Sequence, residues 1–339
     1  MVQVRKPGSG HNHRPAAKAA GDLRREGESG MKQLIPVVLA AALYAAHPLF
    51  TGDSYLLRIL IIVHIFAVLA ASLDIIVGYT GQLTAGHTAV FGWGAFATAW
   101  LILWFNTPPE AAVLAGGLVG ALLGFGVGIL CLRFKYLLLT LVTFALLVLS
   151  YALARQFHEI TGGELGLHGI LPISKSAVAN FYITFGFMLV SVSLLFLLGR
   201  SRVGLYMKAV KEDEAAAETV GIDAVKYKVL ANVVGSTFAG LAGGFFTTYM
   251  TSVGASIFFL DYLLRLILMW GIGGGGTIIG PVVGAYVVTL LAEYLRFIEE
   301  YRLILLGVVL MVFIRFMPSG IYGTLVKLLQ PRRVFSAGG

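Results

Sequence analysis

The residues of this chain that could do chemistry in an apolar setting are few. His64, Asp74, Asp261, Arg265, Glu293 and Arg315 stand within long apolar runs, where an ionised group is costly and a functional role is the first hypothesis. Asp261 and Arg265 are four residues apart, so on a helix they share a face and can pair; an internal ion pair is preferred there over a substrate contact. Glu293 and Arg296 lie near a helix end, where long side chains reach the interface. Asp74 closely precedes a glycine-rich stretch and can cap or hydrogen-bond its backbone. His64 alone reads as a packing residue rather than a ligand. There is no Gly-x-x-x-x-Gly-Lys-[Ser/Thr] phosphate loop: the Gly273–Gly276 run lacks the lysine and follows no strand. Neither His-Glu-x-x-His nor Gly-x-Ser-x-Gly occurs. The single cysteine, Cys131, lies in an apolar run, which leaves no disulfide or zinc–cysteine site within one chain. The chain is therefore not expected to be an enzyme or to carry a metal or cofactor of its own.

Two glycine-rich stretches break the apolar pattern. They are Gly78-Tyr-Thr-Gly81-Gln82-Leu-Thr84-Ala-Gly86-His87 and Gly273-Gly274-Gly275-Gly276-Thr277-Ile-Ile-Gly280-Pro281, each at the boundary of an apolar run. Backbone that leaves the helix inside a bilayer is tolerated only where protein or a water-filled cavity satisfies its polar groups. Discontinuous helices of this kind often build transport sites. Gly78, Gly81, Gln82, Thr84, Gly86 and His87, with Gly274, Gly276, Gly280 and Pro281, are the candidate pathway or gate. Close helix packing is the competing explanation for small residues, and it is preferred for Gly92, Gly94 and Gly284.

Lys208 to Asp223 is the one long polar stretch between apolar runs. Ala, Glu and Lys favour a helix, with Glu214 and Glu218 on one face, Lys211 one turn before Glu214, and Val210, Ala217 and Val220 on another. Gly221 suits a helix C-terminus and Asp223 can cap the next helix. The expectation is one short helix too polar to cross a bilayer, with a surface to offer a soluble partner. Lys208, Lys211, Glu212, Asp213, Glu214, Ala216, Ala217, Glu218, Gly221 and Asp223 are its candidate contact residues.

The elements that must position these groups follow from composition. The chain is 58% hydrophobic and 12% charged, with mean hydropathy +0.86; soluble domains carry about 25% charged residues. It reads as an all-α, polytopic integral membrane protein. The net charge of +8 sits in loops and tails and works as a topology signal; no aromatic-interleaved basic patch points to nucleic acid. A spanning helix needs about 20 apolar residues, which predicts about ten helices, near 33–50, 56–77, 88–105, 111–131, 137–155, 181–199, 229–250, 261–272, 278–296 and 301–317. The short eighth leaves room for a re-entrant pair. Residues 1–31 read as a disordered cytoplasmic tail, 32–323 as the transmembrane domain and 324–339 as a cytoplasmic C-terminal tail. Lys32 to Ala46 also has the form of a signal peptide, but a retained first helix is preferred. With both termini inside, the inside segments hold most of the Lys and Arg, among them Arg133, Lys135, Arg200, Arg202, Lys208, Lys211, Lys226 and Lys228. The outside set is Arg58, Arg155, Lys175, Arg296 and Arg302. Segment 200–228 falls on the cytoplasmic side.

The polar stretch resembles the cytoplasmic EAA loop of ABC-importer permeases in the form found in LivM-type branched-chain amino-acid permeases. Those read Arg-Glu-Asp-Glu-x-Ala-Ala-Glu-x-x-Gly-Ile; this chain reads Lys211-Glu212-Asp213-Glu214-Ala215-Ala216-Ala217-Glu218-Thr219-Val220-Gly221-Ile222. Against the general importer pattern Glu-Ala-Ala-x-x-x-Gly, Ala215 holds the Glu place. The first glycine block is similar to the family's Gly-Tyr-x-Gly-Gln-x-Ser-x-Gly-His, with Thr84 for Ser. Gly273-Gly274 through Gly280-Pro281-Val-x-Gly284-Ala285 is similar to its second block. Thr161-Gly162-Gly163-Glu164-x-Gly166-Leu167 resembles an external loop, with Glu164 for Ser, and Pro318-x-Gly320-x-x-Gly323 resembles the C-terminal end. The resemblance runs from about Leu56 to Gly323.

The resemblance implies the permease half of a bacterial ABC importer for branched-chain or related hydrophobic amino acids in the inner membrane. It also implies partners: a LivH-type permease subunit, two ABC ATPase subunits carrying ATP and Mg, a periplasmic substrate-binding protein, and membrane lipid. Lys208–Asp223 would then couple to the ATPases. The alternatives are an importer for urea, short amides or sugars, an autonomous ion-coupled carrier using Asp74, Asp261 or Glu293, and a membrane scaffold.

Overall fold

The computed structural model describes residues 54–134 and 136–295, isolated positions between 305 and 317, and the helix over 320–329. The expected tail 1–31 and first helix 33–50 lie outside the described residues, as does most of 301–317. The expected start of the C-terminal tail, at 324, falls inside helix Gly320–Leu329.

The long apolar runs fold as helices close to their expected bounds. These are α1 (Ser54–Thr80), α2 (His87–Phe105), α3 (Pro109–Arg133), α4 (Tyr136–Gln156), the short α5 (His158–Thr161), α6 (Ala177–Arg200), α7 (Arg202–Glu212), α8 (Glu214–Thr219), α9 (Ala224–Met250), α10 (Leu260–Gly273), α11 (Ile279–Tyr294) and α12 (Gly320–Leu329). Among the described residues, six of them (α1 to α4, α6 and α9) are long and apolar enough to cross a membrane. A helix apolar on every side belongs inside a bundle. Accordingly α1 is 89% buried along its span, whereas α4 and α6 are 28% buried and turn outward residues such as Leu137, Leu138, Leu194 and Leu197.

Small residues set the closest helix contact. On α3, Gly116, Gly120 and Gly124 recur every fourth residue and face Ser236 and Gly240 of α9, with no room for a Cβ. Without a hydrophobic drive between helices in lipid, such backbone approach supplies the packing. The three glycines assigned to packing behave that way. A Cβ at Gly92 would enter the Phe258 ring, at Gly94 the Gly240 backbone, and at Gly284 the Met269 carbonyl.

Two expectations about the polar stretch change. The stretch Lys208–Asp223 is not one helix: α7 ends at Glu212, Asp213 is extended (φ −155°, ψ 110°), and α8 begins at Glu214. The reason is Asp213 itself, whose Oδ1 accepts from Ala216 N at 3.0 Å and caps α8. Val220 is 74% exposed rather than packed with Val210 and Ala217. Among the described residues the fold is helical apart from one antiparallel two-residue ribbon, β1 (Leu167–His168) with β2 (Ser252–Val253), which ties the Thr161–Leu167 loop to the end of α9. Helices α10 and α11, of 14 and 16 residues, are each shorter than a span, and they pack on each other as a hairpin around Gly274–Ile278.

Candidate functional site

The two glycine blocks and the polar segment, far apart in sequence, meet at the end of α1. The organising side chain is Asp74, which is fully buried. Its Oδ1 accepts from Trp270 Nε1 at 2.7 Å and from Gly276 N at 2.6 Å; its Oδ2 accepts from Ile278 N at 2.8 Å. Expected to serve the first glycine block, Asp74 instead holds the second. The loop it holds is strained. Gly276 has φ 87° and Ile278 φ 61°, a region that a β-branched residue rarely adopts and that persists when its surroundings over-determine it. Gly78 lies one turn after Asp74 and fits only as glycine, since a Cβ there would lie 2.7 Å from Gly276 N.

The polar segment grips the same helix end. Lys211 Nζ donates to Gly78 O at 2.9 Å, a cation on the last turn of α1 where the exposed carbonyls carry negative partial charge. Lys208 Nζ lies 4.5 Å from the Tyr79 ring centroid, within cation–π range. Past this point Gly81 (φ 70°) turns the chain away from α1, with Lys211 Cγ 3.1 Å from where its Cβ would be. Lys211, Gly78, Asp74 and Gly276 thus form one continuous set of contacts.

The remaining candidates divide. Gln82 is buried; its Oε1 accepts from Asn232 Nδ2 at 2.6 Å, and its Nε2 has no partner among the described residues. Thr84 Oγ1 accepts from Gly86 N, and Ala85 N donates to Thr143 Oγ1 of α4. His87 opens α2, with Nε2 2.9 Å from Ser72 Oγ, which itself donates to Leu69 O. Ala85 therefore anchors the loop between α1 and α2 to α4 and His87 anchors it to α1, while the Thr84–Gly86 contact is internal to the loop. Gly274 ends α10, while Gly280 and Pro281 open α11, where Gly280 N donates to Thr277 Oγ1. In the polar segment, Ala217 is buried with Val210 and Ala224 inside this chain, while Glu212, Ala216, Glu218 and Asp223 are exposed. Glu214 pairs with Lys228 at 2.6 Å. Gly221 (φ 84°) follows α8, and Asp223 Oδ1 caps α9 by accepting from Lys226 N.

A cavity of about 560 Å³ lies between the first glycine block and the polar segment, lined among others by Gln82, Cys131, Leu139, Lys211, Glu218 and Lys228. At the opposite end of α1, Arg58, Lys175, Asn180, Tyr249 and Glu293 help line a second cavity of about 490 Å³. Cys131, which is buried, is a wall of the first cavity. Asn232, Lys228, Trp270 and Thr143 were not among the candidates. Only Asn232 carried a sequence signal, as a polar amide inside an apolar span.

Of the other ionisable groups, Arg315 is exposed, and Asp261, Glu293 and His64 are engaged. Asp261 pairs with Arg265 at 2.7 Å, as their spacing predicted. Glu293 accepts from Tyr55 at 2.6 Å. His64 hydrogen-bonds Thr184 Oγ1 and packs among Phe181, Phe185 and Tyr286.

Comparison with known proteins gives the arrangement a context. The profile of the family described as "Branched-chain amino acid transport system / permease component" matches residues 55–314. The chain is 25% identical to the high-affinity branched-chain amino acid transport system permease protein LivM of Salmonella typhimurium, over 81% of this chain and 70% of that protein. It is 25% identical to the protein of the same name from Escherichia coli, over 86% and 76%. A probable branched-chain amino acid transport permease protein LivH of Methanocaldococcus jannaschii is 28% identical over 39% of this chain and 38% of that one. No solved structure matches the chain.

Proposed function

The chain belongs to the branched-chain amino-acid transport system permease family, and we propose from that premise how it does the work of an ABC-importer permease subunit: the contact set from Lys211 to Gly276 carries motion from an ATPase to the membrane helices. The substrate class is branched-chain or related hydrophobic amino acids. The permease pairs with a LivH-type subunit, takes its substrate from a periplasmic binding protein, and draws on two ATPase subunits that hold ATP and Mg. It lies in the inner membrane with both termini and segment 200–228 cytoplasmic, a reading supported by the Lys and Arg bias of the loops. With 33–50 and 301–317 added, and α10 and α11 crossing or re-entering as a pair, the chain has about ten membrane helices.

The mechanism is alternating access. Exposed Glu212, Asp213, Ala216, Glu218 and Asp223 on and beside α8 face the ATPase. Displacement of α7 and α8 pulls Lys211 on the Gly78 carbonyl and Lys208 on Tyr79, at the point where Asp74 holds the Gly274–Ile278 loop. The observation that carries the proposal is the 2.9 Å contact of Lys211 with Gly78 O, because it joins the polar segment to the end of α1, one turn from the Asp74 that holds the strained Gly274–Ile278 loop. The first glycine block and the second then gate the pathway beside α1, between the polar cavities at its two ends.

An ion-coupled carrier is disfavoured. Asp74 has both oxygens hydrogen-bonded, Asp261 is paired with Arg265 and Glu293 accepts from Tyr55, so none of the three resembles an open ion site. The test is Lys211→Met, which keeps the stem and removes the charge. In liposomes containing the whole complex, uptake should fall roughly tenfold, a typical coupling free energy, while the ATPases still co-purify. Unchanged uptake would remove Lys211 from the route.

A further inference from the structure

At the end of α1 away from the polar segment, one face of that helix borders a cavity of about 490 Å³. Tyr55, Arg58, Ile59 and Ile62 all line it, because positions three, four and seven apart share a helix face. Lys175, just before α6, and Glu293, near the end of α11, line it from other elements. Arg58 and Lys175 are both exposed, so their charge is accessible to a ligand. Neither forms an ion pair with a described residue, where the pairs are Arg155–Glu164, Lys228–Glu214 and Arg265–Asp261. The Tyr249 hydroxyl lies beside Arg58. Cations on low-dielectric walls concentrate anions, and an arginine can grip a carboxylate through two parallel hydrogen bonds. The cavity also holds an opposite charge. Glu293 is oriented by the 2.6 Å bond it accepts from Tyr55, and a carboxylate has acceptor sites for further donors. Ile59, Ile62 and Met250 make part of the lining apolar.

Two cations, a carboxylate and an apolar strip match a zwitterion with an apolar body. We propose that this cavity binds a hydrophobic α-amino acid: the carboxylate on Arg58 and Lys175, the ammonium toward Glu293, and the side chain along Ile59 and Ile62. The volume is in the range of small-molecule sites, about 300–1,000 Å³. The zwitterion follows from the lining alone; the hydrophobic amino acid rests on the transport reading above, for which this is the substrate site at one end of the pathway. Helix α1 joins the site to the coupling contacts, since it carries both Arg58 and the Gly78 carbonyl that Lys211 holds. A shift of α1 driven from α7 moves Arg58 relative to Lys175 and Glu293, which other elements carry, and so changes the hold on the ligand.

The test uses the complete transporter, purified without its binding protein, and tritiated L-leucine as the probe. Binding should saturate, and Arg58→Gln and Lys175→Gln should each weaken it by about tenfold or more. Neither 4-methylpentanoate nor isopentylamine, each carrying half of the head group, should displace leucine at about a hundredfold excess. A cysteine at the cavity wall supplies the location. In a Cys131→Ala, Ala177→Cys protein, L-leucine should slow modification by methyl methanethiosulfonate. This readout keeps all three charges, so it decides the matter even where a charge variant fails to assemble. Absence of binding, absence of protection at position 177, binding indifferent to both charge variants, or displacement by 4-methylpentanoate as effective as by leucine, the mark of a plain anion site, would overturn the proposal. Leucine uptake by the transporter with its binding protein is measured in parallel. Intact uptake without binding or protection removes the site and leaves the transport reading; binding and protection without uptake remove the transport reading and leave the site.

Discussion

Asp74 commits both carboxylate oxygens to donors on a loop 202 and 204 residues further along the chain, and to the Trp270 indole. Hydrogen bonds to a charged acceptor are stronger than neutral ones, and each donor stranded in a buried site costs about 1–3 kcal/mol. Asp74→Ala strands Trp270 Nε1 and the amides of Gly276 and Ile278, so the loop should lose its strained conformation. Asp74→Asn keeps one good acceptor and should fall between. The melting temperature of the detergent-purified complex should follow wild type, then Asn, then Ala, with uptake lost first. An alanine variant as stable as wild type would show that Asp74 is not what holds the loop.

The polar segment is two helices because a capping residue sits between them, and its buried face is narrow: Val210, Ala217 and Ala224, with Ile222 and Tyr227 beside them. Ala217 and Ala216 are sequence neighbours with opposite roles. Ala217→Trp overpacks an internal contact, at about 1–3 kcal/mol, and should lower the melting temperature of the complex. Ala216→Trp adds bulk on the exposed side and should leave that temperature alone while releasing the ATPases in a pull-down. If Ala216→Trp keeps the ATPases bound and uptake coupled, the docking surface lies elsewhere. Glu214→Ala should not be silent, because it leaves Lys228, whose side chain is only 12% exposed, without its partner.

Across the whole chain the loop charges set an orientation that labelling can check. Leu165 and Val220 are 85% and 74% exposed and fall on opposite sides of the membrane if segment 200–228 is cytoplasmic. In a Cys131→Ala protein, Leu165→Cys should react with an impermeant thiol reagent in intact cells, and Val220→Cys only after the membrane is opened. The reverse pattern would invert the topology and with it the side on which the ATPases dock.

Composition and apolar run length determined the class, and with it the bounds of the long helices, because in a bilayer every spanning backbone group must be satisfied within its own helix. The pairing of Asp261 with Arg265 and the capping by Asp223 were equally legible, since both are local: one helical turn sets the distance. The ordered motifs carried the family. What no local rule contains is where a side chain goes when its partner is 133 or 202 residues away. Lys211 on Gly78 O and Asp74 on Gly276 N are set by which helices pack together. So are the cavity walled by Cys131 and the small-residue seam between α3 and α9. Each depends on backbone approach between elements distant in sequence, and only the tertiary structure decides that.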